Sequence, residues 1–327
     1  MKDLGKTSVV RHKVGAEDEG QRLDNYLLKL LKGVPKSHIY RIVRSGEVRV
    51  NRGRVAPDYR VRAGDELRLP PLRVADRSAA RRSVPADARL ERAILFEDDY
   101  LLALDKPAGM AVHGGSGVSY GVIEQLRAMR PQAKFLELVH RLDRDTSGVL
   151  LVAKKRSALT GLHAQLRDGR VSKRYLALVR GKWRDAKRHV RLKLHKYALP
   201  SGERRVSVDA GGRESHTVFR LERAWPDFSL LQAELKTGRT HQIRVHLSHL
   251  GFPIVGDDKY GDFDFNKKLA PQLKRMFLHA SSIGFTHPAS GEEIEIAAPL
   301  PAELASFLAG IERGGDRSSD VTGRQRK

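Results

Sequence analysis

A segment without apolar periodicity, residues 73–88, divides this chain into a short region and a long one, and each carries the hydrophobic pattern of a folded domain. The segment is rich in Ala, Arg, Ser and Asp and has Pro85 near its end, a composition typical of a linker. A length of 327 residues also favours two domains over one. We therefore predict a first domain over 12–72, a second over 89–312 and a disordered basic tail over 313–327.

Apolar spacing predicts an α+β fold. In the first region, helical spacing predicts a helix over 21–31 and another from about residue 37, and alternation predicts strands over 47–51 and 67–69. In the second region, strands and helices follow one another without regular βαβ alternation. The strand-like runs lie at 93–96, 101–104, 149–152, 175–179, 228–231 and 294–296, and the helical stretches lie near 121–129, 157–167, 240–250 and 302–312.

The excess of basic residues predicts a polyanionic partner. Lys and Arg total 61 against 39 Asp and Glu, which gives a formal net charge of +22. A field of this sign attracts nucleic acids and anionic membrane surfaces. No basic amphipathic helix with Trp or Phe anchors is evident, so RNA or DNA is favoured, and a solvated basic surface is the simpler alternative.

Two absences narrow the chemistry and the expected location. The chain contains no cysteine, which excludes disulfides, thiolate metal ligands and cysteine nucleophiles and fits a reducing cytoplasm. Neither an apolar segment after the first residues nor a run of about 18 apolar residues occurs, so we expect no signal peptide and no membrane span. The expected location is cytoplasmic.

A polar segment ahead of an apolar strand is the first candidate site. Residues 140–148 are polar or small at every position except Leu142. Asp143 and Asp145 each lie beside arginine, and a neighbouring cation keeps a carboxylate ionised. An ionised carboxylate can attack a sugar carbon or remove a proton. On spacing alone, a surface turn with salt bridges is the favoured interpretation.

A second candidate site, residues 236–246, begins with a turn at Gly238. Thr240 is expected to cap a helix on which His241 and Arg244 lie one turn apart. A basic helix face is the alternative interpretation. A metal site is not predicted, because no His-Glu-x-x-His pattern occurs and His241 and His246 fall on different faces.

The glycine-rich stretch 113–117 lacks the Gly-Lys-Ser/Thr ending of a phosphate-binding loop. No Gly-x-Ser-x-Gly elbow with triad partners occurs elsewhere. We interpret the stretch as a flexible loop over the site. A hydrolase built on His113 is a further alternative that lacks an identifiable nucleophile and base.

Four motifs resemble, in the same order, those of the RluA family of pseudouridine synthases. They are 105–109, where the family more often opens with Asn than with Asp105, and 140–148, 173–177 and 238–246. The resemblance implies a larger mixed-sheet catalytic domain. It also implies an enzyme that isomerises uridine to pseudouridine in RNA without a metal or organic cofactor, since the reaction conserves all atoms.

Residues 12–72 resemble the alpha-L RNA-binding module, named after ribosomal protein S-four, on the marks at 22–24, 35–37 and 48–51. Further stretches at 31–37, 113–117 and 135–139 resemble a branch of the family that acts on large-subunit ribosomal RNA. That RNA is the expected partner of a monomeric protein. The residues assigned to RNA contacts in the module are Lys36, Ser37, Arg41, Arg44, Arg49, Arg52 and Arg54.

The same resemblance assigns roles in the catalytic domain. Asp143 is the essential carboxylate, which either attacks C1′ of the uridine or removes a sugar proton. Arg141 enters the space left by the flipped uridine. Tyr175 stacks on the base and assists removal of the C5 proton. Arg244 keeps Asp143 ionised, and Leu235, Arg239 and His241 complete the substrate-binding set. The alternative is a non-catalytic ribosome-assembly factor that uses the same fold to bind ribosomal RNA.

Overall fold

The computed structural model describes residues 9–31, 34, 36–72, 87–114, 120–200, 203–269 and 272–321, with side chains except at 36, 37, 88 and 314–321. Contacts divide the chain into two compact units. The first comprises residues 1–86 with the segments 127–136 and 154–156, and the second comprises the rest. Within the described part, no helix combines the length and hydropathy needed to cross a membrane.

The first unit combines two helices with a small antiparallel sheet. Strands β1 (Val10–Lys13), β2 (Arg49–Val50) and β3 (Glu66–Leu69) pair in the order β1-β3-β2. Helices α1 (Leu23–Leu30) and α2 (Lys36–Arg44) bury their leucine and isoleucine faces in one hydrophobic core with the sheet. A short 3-10 helix at Ala16–Asp18 precedes α1.

The second unit is built on one large mixed sheet. The strands are β4 (Ile94–Glu97), β5 (Leu101–Lys106), β6 (Glu137–Leu138), β7 (Ser147–Ala153), β8 (Ser172–Arg180), β9 (Lys187–Ala198), β10 (Arg204–Val208), β11 (Arg213–Ala224), β12 (Phe228–Leu235), β13 (Leu278–Thr286) and β14 (Glu293–Ala297). Their order in the sheet is β10-β9-β11-β12-β8-β13-β7-β5-β4, with β14 paired to β13 and β6 paired to β7. All neighbours are antiparallel except β7 and β13, which run parallel.

Six helices in the described part of the chain accompany this sheet, and the one at Gln242–His249 contributes to the candidate site. They are α3 (Ala88–Arg92), α4 (Val122–Met129), α5 (Arg156–Arg167), α6 (Gln242–His249), α7 (Phe263–Leu269) and α8 (Ala302–Val321). The candidate segment 236–246 follows β12 and runs into helix α6, which contacts β9, β10 and β11. Strand β7, buried at every position, follows the segment that carries Asp143. The α+β fold predicted from the sequence is therefore confirmed.

The C-terminal helix differs from the expected tail. The structure continues α8 to Val321, whereas the sequence assigned a disordered tail from residue 313. Leu304 and Phe307 anchor the helix in a buried cluster, and an anchored helix adds further residues at low cost because its nucleus already exists. Residues 322–327 of the tail and 73–86 of the linker lie outside the described residues, as do 115–119 of the glycine-rich stretch.

Candidate active site

A cavity of about 380 Å³ opens in the second unit, between the segment before β7, strand β8, the end of β12 and the start of α6. Each of these elements contributes residues that the sequence singled out. All seven predicted catalytic and substrate-binding residues line the cavity, namely Arg141, Asp143, Tyr175, Leu235, Arg239, His241 and Arg244. The two candidate segments, about 100 residues apart in the chain, therefore form one site.

A buried cation, Lys106, and a half-buried one, Arg275, hold the loop that carries Asp143. The backbone N–H of Thr146 donates to the Asp143 carbonyl at 3.2 Å and closes the turn. The Lys106 ammonium donates to the Arg144 carbonyl at 3.0 Å. The Arg275 guanidinium donates to the Ser147 hydroxyl at 2.8 Å. The loop is thus fixed on the C-terminal side of Asp143, which positions the carboxylate for catalysis.

Gly148 permits the close approach of β7 to β13 just after this loop. Its φ is +107°, a conformation that residues with a Cβ rarely adopt. A Cβ at this position would lie 2.2 Å from the carbonyl oxygen of Ala280 on β13. The close packing of β7 against β13 therefore requires glycine at position 148, the end of the polar segment.

Lys106 is fully buried at the end of β5 and has a structural role that the sequence did not assign. Its ammonium also donates to the carbonyls of Pro107 and Met110, both at 2.8 Å. Burial lowers the pKa of Lys106 to about 7, against the opposing charge of Asp145. With the bond to Arg144, three carbonyls surround the ammonium, so the lysine ties the motif at 105–109 to the Asp143 loop.

Arg244 on α6 links Asp143 to a second, fully buried carboxylate. Its guanidinium forms two parallel 2.7 Å hydrogen bonds with Asp257 and lies 3.4 Å from Oδ2 of Asp143. Burial opposes its charge, but the hydrogen bonds with Asp257 and the charges of Asp257 and Asp143 raise the pKa of Arg244 above its ordinary value. Arg244 therefore stays cationic, oriented by Asp257 and directed at Asp143.

Tyr175 and Leu235 belong to the neighbouring strands β8 and β12 and form part of the cavity wall. The Tyr175 side chain is buried. Burial, followed by the negative charge of Asp143, raises the pKa of the phenol above its ordinary value. The hydroxyl is consequently protonated at neutral pH, so Tyr175 offers the cavity an aromatic face and a neutral hydroxyl.

His241 approaches the same oxygen of the Asp143 carboxylate as Arg244 does. Its Nε2 lies 3.9 Å from Oδ2 of Asp143, and its Nδ1 lies 2.8 Å from the hydroxyl of Tyr260. Burial lowers the pKa of His241, although the charge of Asp143 opposes this shift. The ring is therefore neutral at pH 7 and can serve as a hydrogen-bonding group beside the carboxylate.

The expected cap at Thr240 was wrong. Helix α6 begins at Gln242, and His241 is its N-cap in the left-handed conformation, with a φ of 53°. The backbone N–H of Gln242 donates to the Arg239 carbonyl at 3.2 Å. The Gln242 side chain holds the turn ahead of the helix, because its Oε1 accepts from the Arg239 backbone N–H at 2.9 Å and from the Thr237 hydroxyl at 2.8 Å. Left-handed backbone at a non-glycine residue costs about 1 kcal/mol and places His241 outside the helix, facing Asp143.

The residues assigned to RNA contacts in the first unit lie on α2 and in the turn after β2. Arg41, Arg44, Arg52 and Arg54 are exposed. Arg49 is half-buried and donates to the Gly46 carbonyl at 2.7 Å. Lys36 and Ser37 belong to α2, but their side chains lie outside the described residues.

Sequence reasoning missed three contributors to the site. Asp257 follows an apolar pair in an irregular segment, and no local pattern connects it to Arg244 across 13 residues. Lys106 belongs to the motif at 105–109, and the signal for its role is a charged residue at the end of a buried strand. Lys173, two residues before Tyr175, also lines the cavity, and burial lowers the pKa of its ammonium.

Two histidines near the site, His140 and His246, should make the folded protein less stable in acid. Burial lowers the pKa of both His140 and His246 to about 4. Because the unfolded state binds protons from about pH 6.5 downward and the folded state only near pH 4, their contribution to stability is lost as the pH falls through this window. The unfolding free energy of the wild type should fall between pH 7 and pH 5. In the His246→Gln variant, which lacks this titrating group, the fall should be smaller by about 2 kcal/mol.

Urea denaturation at the two pH values measures this difference. The exposed His195 on β9 provides the matched control, because its replacement by Gln should keep the wild-type pH dependence. Identical pH dependence in the wild type and His246→Gln would contradict the assignment of a buried neutral His246.

Comparison with known proteins places this site in a family. The family model described as RNA pseudouridylate synthase matches residues 100–249, and the model described as S4 domain matches residues 21–67. Ribosomal large subunit pseudouridine synthase C of Yersinia pestis is 55% identical over 92% of this chain and 95% of its own length. The protein of the same name from Escherichia coli K12 is 55% identical over 90% of this chain and 94% of its own.

Among solved structures, the human RNA pseudouridylate synthase domain containing 1 is similar to this chain. It superposes with a TM-score of 0.55 at 26% identity and covers 66% of this chain and 86% of its own. The similarity thus extends from sequence to fold.

Proposed function

The chain belongs to the RNA pseudouridine synthase family, and on that premise we propose that it isomerises uridines of large-subunit ribosomal RNA to pseudouridine, with Asp143 as the essential carboxylate. The substrate class rests on the relatives named above, which are about 55% identical over nine-tenths of the chain. Family membership favours an enzyme over a non-catalytic assembly factor.

The observation that carries the proposal is the position of Asp143 in the cavity. Its Oδ2 lies 3.4 Å from the Arg244 guanidinium and 3.9 Å from the His241 ring. Arg244 is itself buried and oriented by Asp257. A carboxylate held by a fixed cation is ready for nucleophilic or basic chemistry without reorganisation at the moment of reaction.

The isomerisation breaks one bond and forms another at the same sugar carbon. The C1′–N1 bond of uridine breaks, the uracil turns within the cavity, and a C1′–C5 bond forms. Asp143 assists the first step in one of two ways: it attacks C1′ and is displaced again when the C1′–C5 bond forms, or it removes a sugar proton and returns it when that bond has formed. The C5 proton is finally released to water and N1 gains a proton, so atoms balance and no cofactor is proposed.

The cavity walls fit a flipped nucleotide. Tyr175 presents an aromatic face for stacking on the uracil, and Leu235 adds apolar surface. A protonated Tyr175 hydroxyl favours stacking and hydrogen bonding over service as the initial base for the C5 proton. The exposed Arg141 is assigned to the space in the RNA stack that the uridine leaves, and Arg239 and His241 to contacts with the nucleotide.

Basic residues of the first unit are proposed to bind the RNA backbone. The described part of the chain shows no ion pair for Arg52 or Arg54, which leaves both guanidinium groups available to phosphates. Arg41 pairs only loosely with Glu47 at 3.5 Å, and the Arg44 guanidinium lies 5.7 Å from the Tyr40 ring centroid. We propose that the protein acts as a monomer in the cytoplasm.

The proposal predicts activity without added metal. Large-subunit ribosomal RNA transcribed with tritium at uridine C5 should release tritium to water when it is incubated with the purified protein. Release should proceed at the same rate in excess EDTA, because no step needs a Lewis acid. An RNA incubated without protein is the control.

Two results of this assay would count against the proposal. Absence of tritium release from the ribosomal transcript, with the protein folded and RNA-bound, would remove the proposed activity. Loss of release in EDTA, restored by a divalent cation, would contradict the metal-independent chemistry.

A further inference from the structure

A row of exposed cations crosses the three strands β10, β9 and β11 on one face of the sheet. Lys196 on β9 is the central member. Arg204 on β10 pairs with Ala198, and Arg213 on β11 pairs with Leu194, so each arginine is a diagonal neighbour of Lys196. Diagonal neighbours on one face lie about 7–8 Å apart. We call these three residues the cationic row.

The cationic row lies on the face of the sheet that packs against α6. Leu194 and Val206, on the same face, are buried in a cluster with Val245 of α6. Arg239, which lines the cavity, donates from Nε to the carbonyl of Glu214 at 3.0 Å, next to Arg213 in the chain. The row therefore continues outward from the mouth of the cavity.

Acidic partners are absent from the row within the part of the chain that the structure describes. The nearby carboxylates are engaged elsewhere: Glu203 pairs with Lys259 at 2.8 Å, and Glu214 pairs with Lys193 on the opposite face at 3.6 Å. Burial and the positive charges of the surrounding arginines, Arg141, Arg213, Arg204 and Arg239, lower the pKa of Lys196. Such a cluster of like charges is repulsive in the free protein, and a bound polyanion relieves the repulsion.

We propose that Lys196, Arg204 and Arg213 bind the phosphates of the RNA strand next to the uridine that enters the cavity. RNA is favoured over an acidic protein because the row adjoins a cavity whose proposed occupant is part of the same strand. The inference rests on the proposed function. It adds a backbone-binding site in the catalytic unit to the one proposed in the first unit.

The test compares two triple variants with equal changes in charge. Lys196→Ala, Arg204→Ala and Arg213→Ala remove the row. Lys187→Ala, Arg191→Ala and Lys193→Ala remove three exposed cations from the opposite face of β9. The probe is the tritiated large-subunit ribosomal transcript, with affinity measured over a series of KCl concentrations and with kcat and KM measured by tritium release.

Removal of the row should reduce the slope of log affinity against log salt by about 2, at about 0.7 per lost single-strand phosphate contact. KM should rise on the order of tenfold at moderate salt, with kcat unchanged, because phosphate contacts position the RNA and do not enter the chemistry. The opposite-face variant should retain the wild-type slope and KM.

A third triple variant tests whether a loss of affinity comes from the lost charge or from disturbed folding. Lys196→Arg, Arg204→Lys and Arg213→Lys keep all three charges and should keep the wild-type slope. A wild-type slope and KM in the triple alanine variant would overturn the inference, and so would an equal loss in the opposite-face variant or in the charge-conserving one. Preferential binding of an acidic protein over the transcript at this face would also overturn it. Failure of the wild type to release tritium overturns the proposed function instead.

Discussion

Replacement of Asp143 by asparagine is expected to reduce pseudouridine formation by at least about 10⁴-fold while binding of ribosomal RNA persists. Asparagine has nearly the shape of aspartate and fits beside Arg244 and His241. It has no negative charge, so it can neither attack C1′ nor remove a sugar proton. The RNA-binding surfaces keep their charge, so affinity should stay within about twofold of the wild type.

Asp145 supplies a matched control within the same loop. It is two residues from Asp143, and its carboxylate pairs with the exposed Arg144 at 3.2 Å. Asp145→Asn makes the same change in charge and should retain most of the activity, because Asp145 does not line the cavity and its pair with Arg144 is partly exposed to solvent. Tritium release from the ribosomal transcript and filter binding of the same RNA measure both properties. Comparable losses in the two variants would show that the loop's charge, and not Asp143 itself, matters.

Replacement of Arg244 by methionine should reduce both stability and activity. Asp257 is buried, and loss of Arg244, its guanidinium partner among the described residues, leaves an uncompensated charge in the core. Breaking a buried pair in this way costs about 3–5 kcal/mol of the unfolding free energy. The variant also removes the cation beside Asp143, and kcat should fall by about 10²-fold or more.

A double variant separates these two effects. When Asp257→Asn is combined with Arg244→Met, no buried charge is left unpaired, so much of the stability should return. The activity should stay low, since Asp143 still lacks its cation. Urea denaturation and tritium release measure the two quantities. Recovery of activity together with stability would show that Arg244 acts only through the fold.

The sequence predicted several of the elements whose apolar residues face one core, but not the largely buried strand β13. Helices near 121–129 and 157–167 and the strand runs at 101–104 and 149–152 lie within two residues of the structure's elements, because their burial is regular. Strands β9 and β11 were missed. Their exposed faces carry so many charges that alternation is obscured, and they form by pairing with distant strands.

The candidate site was predictable where local motifs carry it and not where it depends on distant contacts. Asp143, Tyr175 and Arg244 were singled out from separate motifs, and the structure brings them to one cavity. Asp257 was not, because its importance lies in the pairing with Arg244 across folded space. The expected Thr240 cap was wrong because the Gln242 side chain holds the turn ahead of α6, and His241 is the N-cap.

The roles assigned to the site residues remain to be tested in the cell as well as in solution. Pseudouridines in large-subunit ribosomal RNA can be mapped in a strain that lacks this protein, after complementation with the wild type or with Asp143→Asn. We expect specific pseudouridines to disappear in the deletion strain, to return with the wild type and to stay absent with the variant. An unchanged pseudouridine map in the deletion strain, or restoration by Asp143→Asn, would contradict the account.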